Sequence, residues 1–504
     1  MTSTPARAVA TQMDDDAELR SFGYEPQLDR SMGLWSSLSI SISCMCITAG
    51  IFTVFAYSLG TVGPAFVWTW PIVAVGQILV SLVLADLAGR MPISGYAFQW
   101  TSRLLNSHFG WFVGWAGLMA FTPGYTGLNL GLSPLLLNRL GIDITPESVM
   151  VTTVLLTLVQ MGINLAGVAI ASRINNVAAF TAELGLSIVL TVILLVIGFI
   201  THPVQSFSFL TSSTATGSDF TVAFLLSGLL GIWVLTGQEG AADLAEETHV
   251  ARRNVPRAVM TSIILSSTIG FFMIIALTIN VPNLDETMAS DVPIVHVLES
   301  ALGSGGALIF ELVAMVALFA GGLANQAASS RLIFSLSRDR MLPGSSFFSR
   351  VAHSNRSPYG AISLAAGFSI ALVVIGTLIA SQTMALIVGM ASVGYYVVYA
   401  LTILAAIIAV RRGILAKPSS FSLGSFAGPI RWIALVWTVL VVIELTVPEA
   451  NQQTALMAGA FFVIAAVWYL FVLRGRLNSG DAGVPVTDAT AEPADAVQEP
   501  AYGG

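Results

Sequence analysis

Residues 228–258 read GLLGIWVLTGQEGAADLAEETHVARRNVPRA, an apolar run of membrane character that passes into a basic, proline-containing loop. Within it, Thr236-Gly237-Gln238-Glu239-Gly240 sets two glycines around a carboxylate. Non-helical backbone at membrane depth is tolerated only where it is buried in protein or lines a watery cavity. An ionisable residue there marks a functional site by default. A second stretch has related chemistry. Ser41-Ile42-Ser43-Cys44-Met45-Cys46-Ile47-Thr48-Ala49-Gly50-Ile51-Phe52 gathers small and hydroxyl residues inside the first apolar run. A broken helix frees N–H groups at the start of one half and C=O groups at the end of the other. The freed N–H groups favour an anion such as a carboxylate, and the freed carbonyls suit an ammonium group. Two such breaks suit a small molecule carrying both charges, an amino acid, without any charged side chain. Taken singly, the first cluster also fits a small-residue face for helix packing. Together, five spans apart, the two stretches fit the interrupted helices of a secondary transporter.

The elements that would position these stretches follow from composition. The chain has 504 residues, of which 55% are hydrophobic and 10% charged, and its mean hydropathy is +0.82. Repeated apolar runs of about 20 residues predict a polytopic all-α membrane protein. They are continuous and do not alternate with period two, which argues against a β-barrel. Twelve transmembrane helices are expected, at about 34–58, 64–87, 109–130, 148–166, 176–200, 220–245, 258–280, 305–332, 361–380, 384–410, 430–447 and 455–473. The aromatic, Arg-containing segment 95–107 is expected to lie along the membrane surface. With the N-terminus inside, every lysine and arginine except Arg139 falls in an inside segment. One span more or fewer would reverse the sign of every later loop, so this distribution supports all twelve together. The outer loop 281–304 carries Asp285, Glu286, Asp291 and Glu299 instead.

Helices 1 and 6 each lead a block of five, residues 34–200 and 220–411. Five is odd, so the second block enters the membrane from the opposite side: a five-plus-five inverted repeat with broken helices 1 and 6. Helices 11 and 12 (430–474) stand outside the repeat. Residues 1–33 read as a polar cytoplasmic tail with no cleavable signal, and 475–504 as a disordered cytoplasmic tail.

Other function classes find little support. The only cysteines, Cys44 and Cys46, give no disulfide framework and no metal-ligand pattern, and the five histidines have no ligand spacing. Lys417 follows Ala416, so there is no phosphate loop, and no soluble domain is large enough for a nucleotide. An enzyme or an ATP-driven pump is not expected, nor a cofactor or a nucleic-acid partner. A channel or membrane receptor is the alternative from another class, although a single asymmetric chain offers no repeated pore ring.

Several motifs recur in order. Leu19-Arg20-Ser21-Phe22-Gly23-Tyr24 and Leu28-Asp29-Arg30-Ser31 precede helix 1, and Ala49-Gly50-Ile51 lies within it. Ala85-Asp86-Leu87-Ala88-Gly89-Arg90-Met91-Pro92-Ile93-Ser94-Gly95 follows helix 2. Glu246-Glu247-Thr248 and Arg253-Asn254-Val255-Pro256-Arg257-Ala258 follow helix 6, and Ser330-Arg331-Leu332, Ser337-Arg338-Asp339 and Leu342-Pro343 end helix 8. By these motifs the chain resembles the amino acid–polyamine–organocation permease superfamily over about residues 19–476, most closely its bacterial and fungal amino acid/choline permease branch.

The resemblance implies a secondary-active transporter in the plasma (inner) membrane, taking up an amino acid or related amine by alternating access. A polyamine or choline-type organocation transporter, or an amino acid exchanger, is the alternative within the class. It implies a substrate site over Cys46, Ile47, Thr48, Ala49, Gly50 and Ile51 of helix 1 and Trp233, Val234, Leu235, Thr236 and Gly237 of helix 6. The carboxylate would meet amides near Thr48, Ala49 and Gly50. The ammonium would meet carbonyls near Cys46 and around Trp233, Val234 and Thr236. Trp233 is then either a lid over the ligand or an ordinary buried aromatic. Some proton-coupled relatives carry a lysine in helix 5. This chain has Glu183 there instead, either a proton carrier or a structural carboxylate. The coupling ion, H+ or Na+, stays open.

The remaining polar residues of the spans also carry alternatives. Glu239 is expected to tie the unwound segment to neighbouring helices. Asn325 and Gln326 face either the central cavity or a neighbouring helix. Tyr395, Tyr396 and Tyr399 are either gate residues or packing. Asp243, Glu246 and Glu247 form either a salt-bridge gate, with Arg252 and Arg253 nearby, or a solvated turn. Glu311 and Glu444 have no evident partner and no assigned role.

Overall fold

The computed structural model describes residues 15–17, 19–25, 30, 32–352, 357–379, 383–415 and 421–485. Glu18, Leu28, Asp29, Ser31, His353, Lys417 and most of the 475–504 tail lie outside them. Among the described residues the regular structure is helical, apart from one isolated bridge between Met32 and Thr248.

The spans are α1 (Leu34–Met45 and Ile47–Val62), α2 (Thr69–Arg90), α3 (Ser107–Leu140), α4 (Pro146–Ala166) and α5 (168–201). They continue with α6 (Ser218–Ser227, Leu229–Val234 and Gly240–Asp243), α7 (Ala251–Ile279) and α8 (Pro293–Arg338). Then come α9 (Tyr359–Ile379), α10 (Thr383–Arg411), α11 (Ala427–Thr446) and α12 (Gln452–Trp468, continuing to Ser479). Among the described residues, ten helical segments are long and apolar enough to cross a membrane. The 34-residue α3 and the interrupted α6 complete the set of twelve expected from the sequence. Apolar side chains of α4, α5, α11 and α12 stay exposed on the outside of the bundle, as a lipid-facing surface requires.

Four of the five corresponding helix pairs of the two blocks pack on each other. α1 lies on α6, α2 on α7, α3 on α8 and α4 on α9. Counterparts meet in this way when two inverted halves are related by an axis in the membrane plane. α11 packs on α10 and α2, and α12 on α10 and α3. Among the ten long apolar spans, α1 is the most enclosed by protein.

Some elements depart from expectation. The segment expected along the membrane surface is a helix, Tyr96–Leu104, with Phe98, Gln99 and Trp100 buried against α3 and α10. The Trp100 indole donates to the Met91 carbonyl at 2.7 Å and turns this segment back under the bundle. α8 comprises two helices joined at a non-helical Gly303 (φ 71°): the second begins where the span was expected, and the first, from Pro293, is an additional helix before it. Residues Arg474–Ser479 of the tail are helical. Beyond them, the Val484 amide donates to Ser107 Oγ at 3.1 Å.

Candidate functional site

Both expected breaks are present, and they meet. In α1 the interruption is Cys46, whose backbone is left-handed (φ 53°, ψ 63°). It lies before Thr48-Ala49-Gly50, where the motif placed it; those residues already belong to the second half-helix. Gly50 answers a different need. A Cβ there would come within 2.7 Å of Val234 Cγ2 on α6, so the glycine permits close approach of the two broken helices. In α6 the chain leaves helical geometry at Leu235 and regains it at Gly240. Gly237 is left-handed (φ 90°), and a Cβ on it would lie 2.9 Å from the Cys44 carbonyl. Ser41 stitches the two helices together, donating to the Gln238 carbonyl at 2.8 Å and accepting from the Ala241 amide at 3.1 Å.

The backbone groups freed by the breaks are engaged by side chains. Glu183 comes from α5, in a π-helical segment (Ala179–Leu186), a widened turn often found at functional sites. Its carboxylate accepts from the Thr48 amide at 3.1 Å and from Cys46 Sγ at 3.3 Å. It therefore caps the N-terminus of the second half of α1 with a negative group, where the helix dipole favours one. Thr48 Oγ1 lies 2.5 Å from Ser187 Oγ, one turn along α5. On the carbonyl side, the Asn325 amide donates to Cys44 O at 3.1 Å, and the Gln77 amide to Leu235 O at 2.8 Å. The anionic and N–H-donating roles expected of a zwitterion are held here by Glu183, Asn325 and Gln77.

The other singled-out residues converge on the same place. Ile47, Thr48, Ala49, Gly50, Ile51, Val234, Leu235 and Thr236 are buried. Tyr399 donates to the Glu239 carboxylate at 2.9 Å and lies 3.4 Å from the Gly237 amide. Glu239 thus ties the unwound segment to α10. Tyr395 donates to Asn325 Oδ1 at 3.1 Å, linking α10 to α8. Tyr396 is buried, and its hydroxyl has no partner among the described residues. The Trp233 indole rests within 4 Å of the positions where side chains on Gly124 and Gly127 of α3 would begin. Val388 approaches Gly127 as well, and it also lines a cavity of about 300 Å³ with Thr53, Tyr57 and Leu229. Trp233 itself does not line this cavity; it lies two residues before the α6 break.

The opposite end of the bundle is tied shut. Met32 exchanges backbone hydrogen bonds with Glu247 and His249. Ser94 and Glu246 bond reciprocally at 3.2 Å. Glu247 pairs with Arg331 at 3.4 Å and Glu246 with Arg338 at 3.8 Å. These carboxylates are buried against α8 rather than forming a solvated turn. Tyr24, from the segment before α1, inserts beneath Arg338, whose guanidinium lies 3.9 Å from its ring centroid. The Tyr24 hydroxyl reaches Asp339 at 3.2 Å and Gln99 at 3.1 Å.

Sequence reasoning left Gln77, Ser187 and Gln99 unnoticed, because a single polar residue in an apolar run does not reveal what it faces. It also left Glu311 without a partner. The structure supplies Arg139, the one basic residue assigned outside, which donates to the Glu311 carboxylate and joins α3 to α8.

A model of the amino acid permease family matches residues 32–471. The chain belongs to that family. The permease is 26% identical to the rice protein named amino-acid permease BAT1 homolog, over 90% of this chain and 93% of that one. It is 26% identical to amino-acid permease BAT1 of Arabidopsis thaliana, over 87% and 89%. It is 24% identical to amino-acid permease 2 of Neurospora crassa, over 93% and 89%. These matches run nearly end to end, so both broken helices and the paired blocks of the permease fall inside the shared region.

Proposed function

We propose that this permease carries an amino acid across the plasma membrane by alternating access, as a secondary-active uptake system. The observation that carries the reading is the meeting of the α1 and α6 breaks, with Gly237 against Cys44 and Gly50 against Val234. The substrate carboxylate takes the amides at the start of the second half of α1, and its ammonium takes the carbonyls around Cys44 and Leu235. In the structure Glu183, Asn325 and Gln77 bond to those groups. Trp233 moves as the lid on the side of the Thr53–Val388 cavity, and the ion pairs of Glu246 and Glu247 open on the other side.

Glu183 favours proton coupling. Its carboxylate occupies the amide that the substrate carboxylate needs, so protonating it weakens the competitor and admits the substrate. The test is uptake into proteoliposomes, screened over amino acids, γ-aminobutyrate, choline and polyamines. Saturable uptake is expected, and Gly50→Leu and Gly237→Leu each abolish it. Transport that survives both changes places the substrate elsewhere. Choline or polyamines taken up in preference to any amino acid would replace the zwitterion by an organocation.

A further inference from the structure

A second cavity, of about 810 Å³, lies where α8 and α12 end. Ser337, Arg338, Arg340, Ser346, Trp468 and Arg476 are among its lining residues. The arginines come from different places in the chain, the end of α8, the turn after it and the tip of α12, so the fold gathers them. Arg340 is held in a left-handed turn (φ 58°). Its amide bonds to Ser337 O at 3.0 Å, and the following Met341 amide to Leu336 O at 2.9 Å. Among the described residues neither Arg340 nor Arg476 has an ion pair. The neighbouring Asp339 carboxylate is turned away, toward Tyr24 and Gln99. Among the described residues two buried polar atoms of the lining, Ser337 Oγ and Arg338 Nε, have no hydrogen-bond partner, and Ser337 is only 1% exposed. A buried hydroxyl without a partner is costly to a folded protein.

We infer that this cavity is a binding site for a phosphate-bearing anion, with Arg338, Arg340, Arg476 and Ser337 as its ligands. Guanidinium groups converging with a hydroxyl donor match the several acceptor oxygens and the charge of a phosphate. The surroundings point to a phospholipid headgroup as its source. Trp468 stands at the rim, its indole on the Met341 carbonyl at 3.1 Å. Next to it, Leu470 and Phe471 are 58% and 83% exposed on α12, an apolar surface for acyl chains. Basic pockets between spans on the cytoplasmic side are suited to anionic headgroups.

The experiment uses the purified full chain in mild detergent, with thermal stability and retained adducts in native mass spectrometry as readouts. The probes are phosphatidylglycerol, phosphatidylcholine and inorganic phosphate. Phosphatidylglycerol is expected to stabilise the protein and persist as an adduct, with phosphatidylcholine weaker. Arg340→Ala/Arg476→Ala should lower the apparent affinity for phosphatidylglycerol about tenfold or more, a loss of about 1.4 kcal/mol or more. Arg412→Ala, an exposed arginine at the end of α10, should not. If the double variant does not fold, Arg476→Ala alone carries the comparison. Inorganic phosphate that protects equally, with the same loss in the double variant, supports the phosphate site and assigns it a soluble source. Equal stabilisation by both lipids, or an equal loss in Arg412→Ala, overturns it.

Discussion

Cys46 and Gly237 are both left-handed, and only one of them announces it. Glycine reaches that conformation without steric cost, so Gly237 was visible in the sequence as a break. A cysteine there pays about 1–2 kcal/mol and carries no sequence mark, so the α1 break was looked for at Gly50 instead. What Gly50 and Gly237 protect can be separated by their neighbours. At Gly50 the obstacle is a side chain, Val234 Cγ2 at 2.7 Å. At Gly237 it is the Cys44 backbone at 2.9 Å, together with a φ of +90°. Gly50→Ala should therefore lose most uptake and recover much of it in combination with Val234→Ala, whereas Gly237→Ala should lose uptake with no recovery from Val234→Ala. Initial rates in proteoliposomes read both, and rescue of Gly237→Ala would sink the argument. Glu183→Gln keeps the side-chain shape but removes the charge that caps Thr48. Uptake by this variant is expected to lose its dependence on an imposed pH gradient while substrate binding persists. A wild-type response to the gradient would leave Glu183 as a structural carboxylate.

At the scale of elements, apolar runs and arginine distribution made the spans legible, because lipid imposes both. The contacts that close the Glu246–Arg338 end were not legible, since Tyr24 and Asp339 stood out only as members of separate motifs, Gln99 did not stand out at all, and the three are far apart in the chain. Together they form a latch. Asp339, just beyond α8, has its carboxyl pushed up from 3.8 to about 6 by burial. Arg338, the Gln99 amide, Arg103 and the Tyr24 hydroxyl oppose that rise. The folded pKa exceeds the unfolded one, so the native state holds the proton more tightly. The resulting contribution to stability is complete below about pH 4 and is lost as pH rises to about 6. Asp339→Asn should therefore gain thermal stability relative to the native protein across that interval, with the difference levelling off above it. A difference that stays constant from pH 4 to 7 would remove Asp339 from the latch. Tyr24→Ala, which withdraws the ring from beneath Arg338, should increase the solvent accessibility of this end without changing the far-end cavity, as hydrogen exchange would report.

For the whole molecule, α1 to α10 share extensive packing, whereas α11 and α12 pack at its side and need anchors of their own. Asp86 provides one for α11. It was legible only as part of a motif after helix 2, and Arg431 only as one more inside charge. In the fold the Asp86 carboxylate accepts from Arg90 at 3.0 Å and from Arg431 of α11 at 2.9 Å. The three side chains are 1%, 8% and 5% exposed. Desolvating such a group is costly, so its presence is weak evidence of net stabilisation, but removing one member strands the others. Asp86→Asn leaves two buried guanidiniums without their carboxylate and should destabilise by about 3–5 kcal/mol. Arg431→Met leaves the Asp86–Arg90 pair intact and fills similar space with apolar atoms, so it should cost much less. In the double variant only Arg90 loses the Asp86 carboxylate, and the loss should fall below the sum of the single losses, as expected for residues sharing one network. Thermal unfolding of the four proteins in the same detergent measures this. Strict additivity would mean that Asp86 and Arg431 do not act as one anchor and that α11 is held by its apolar packing on α10 and α2 alone.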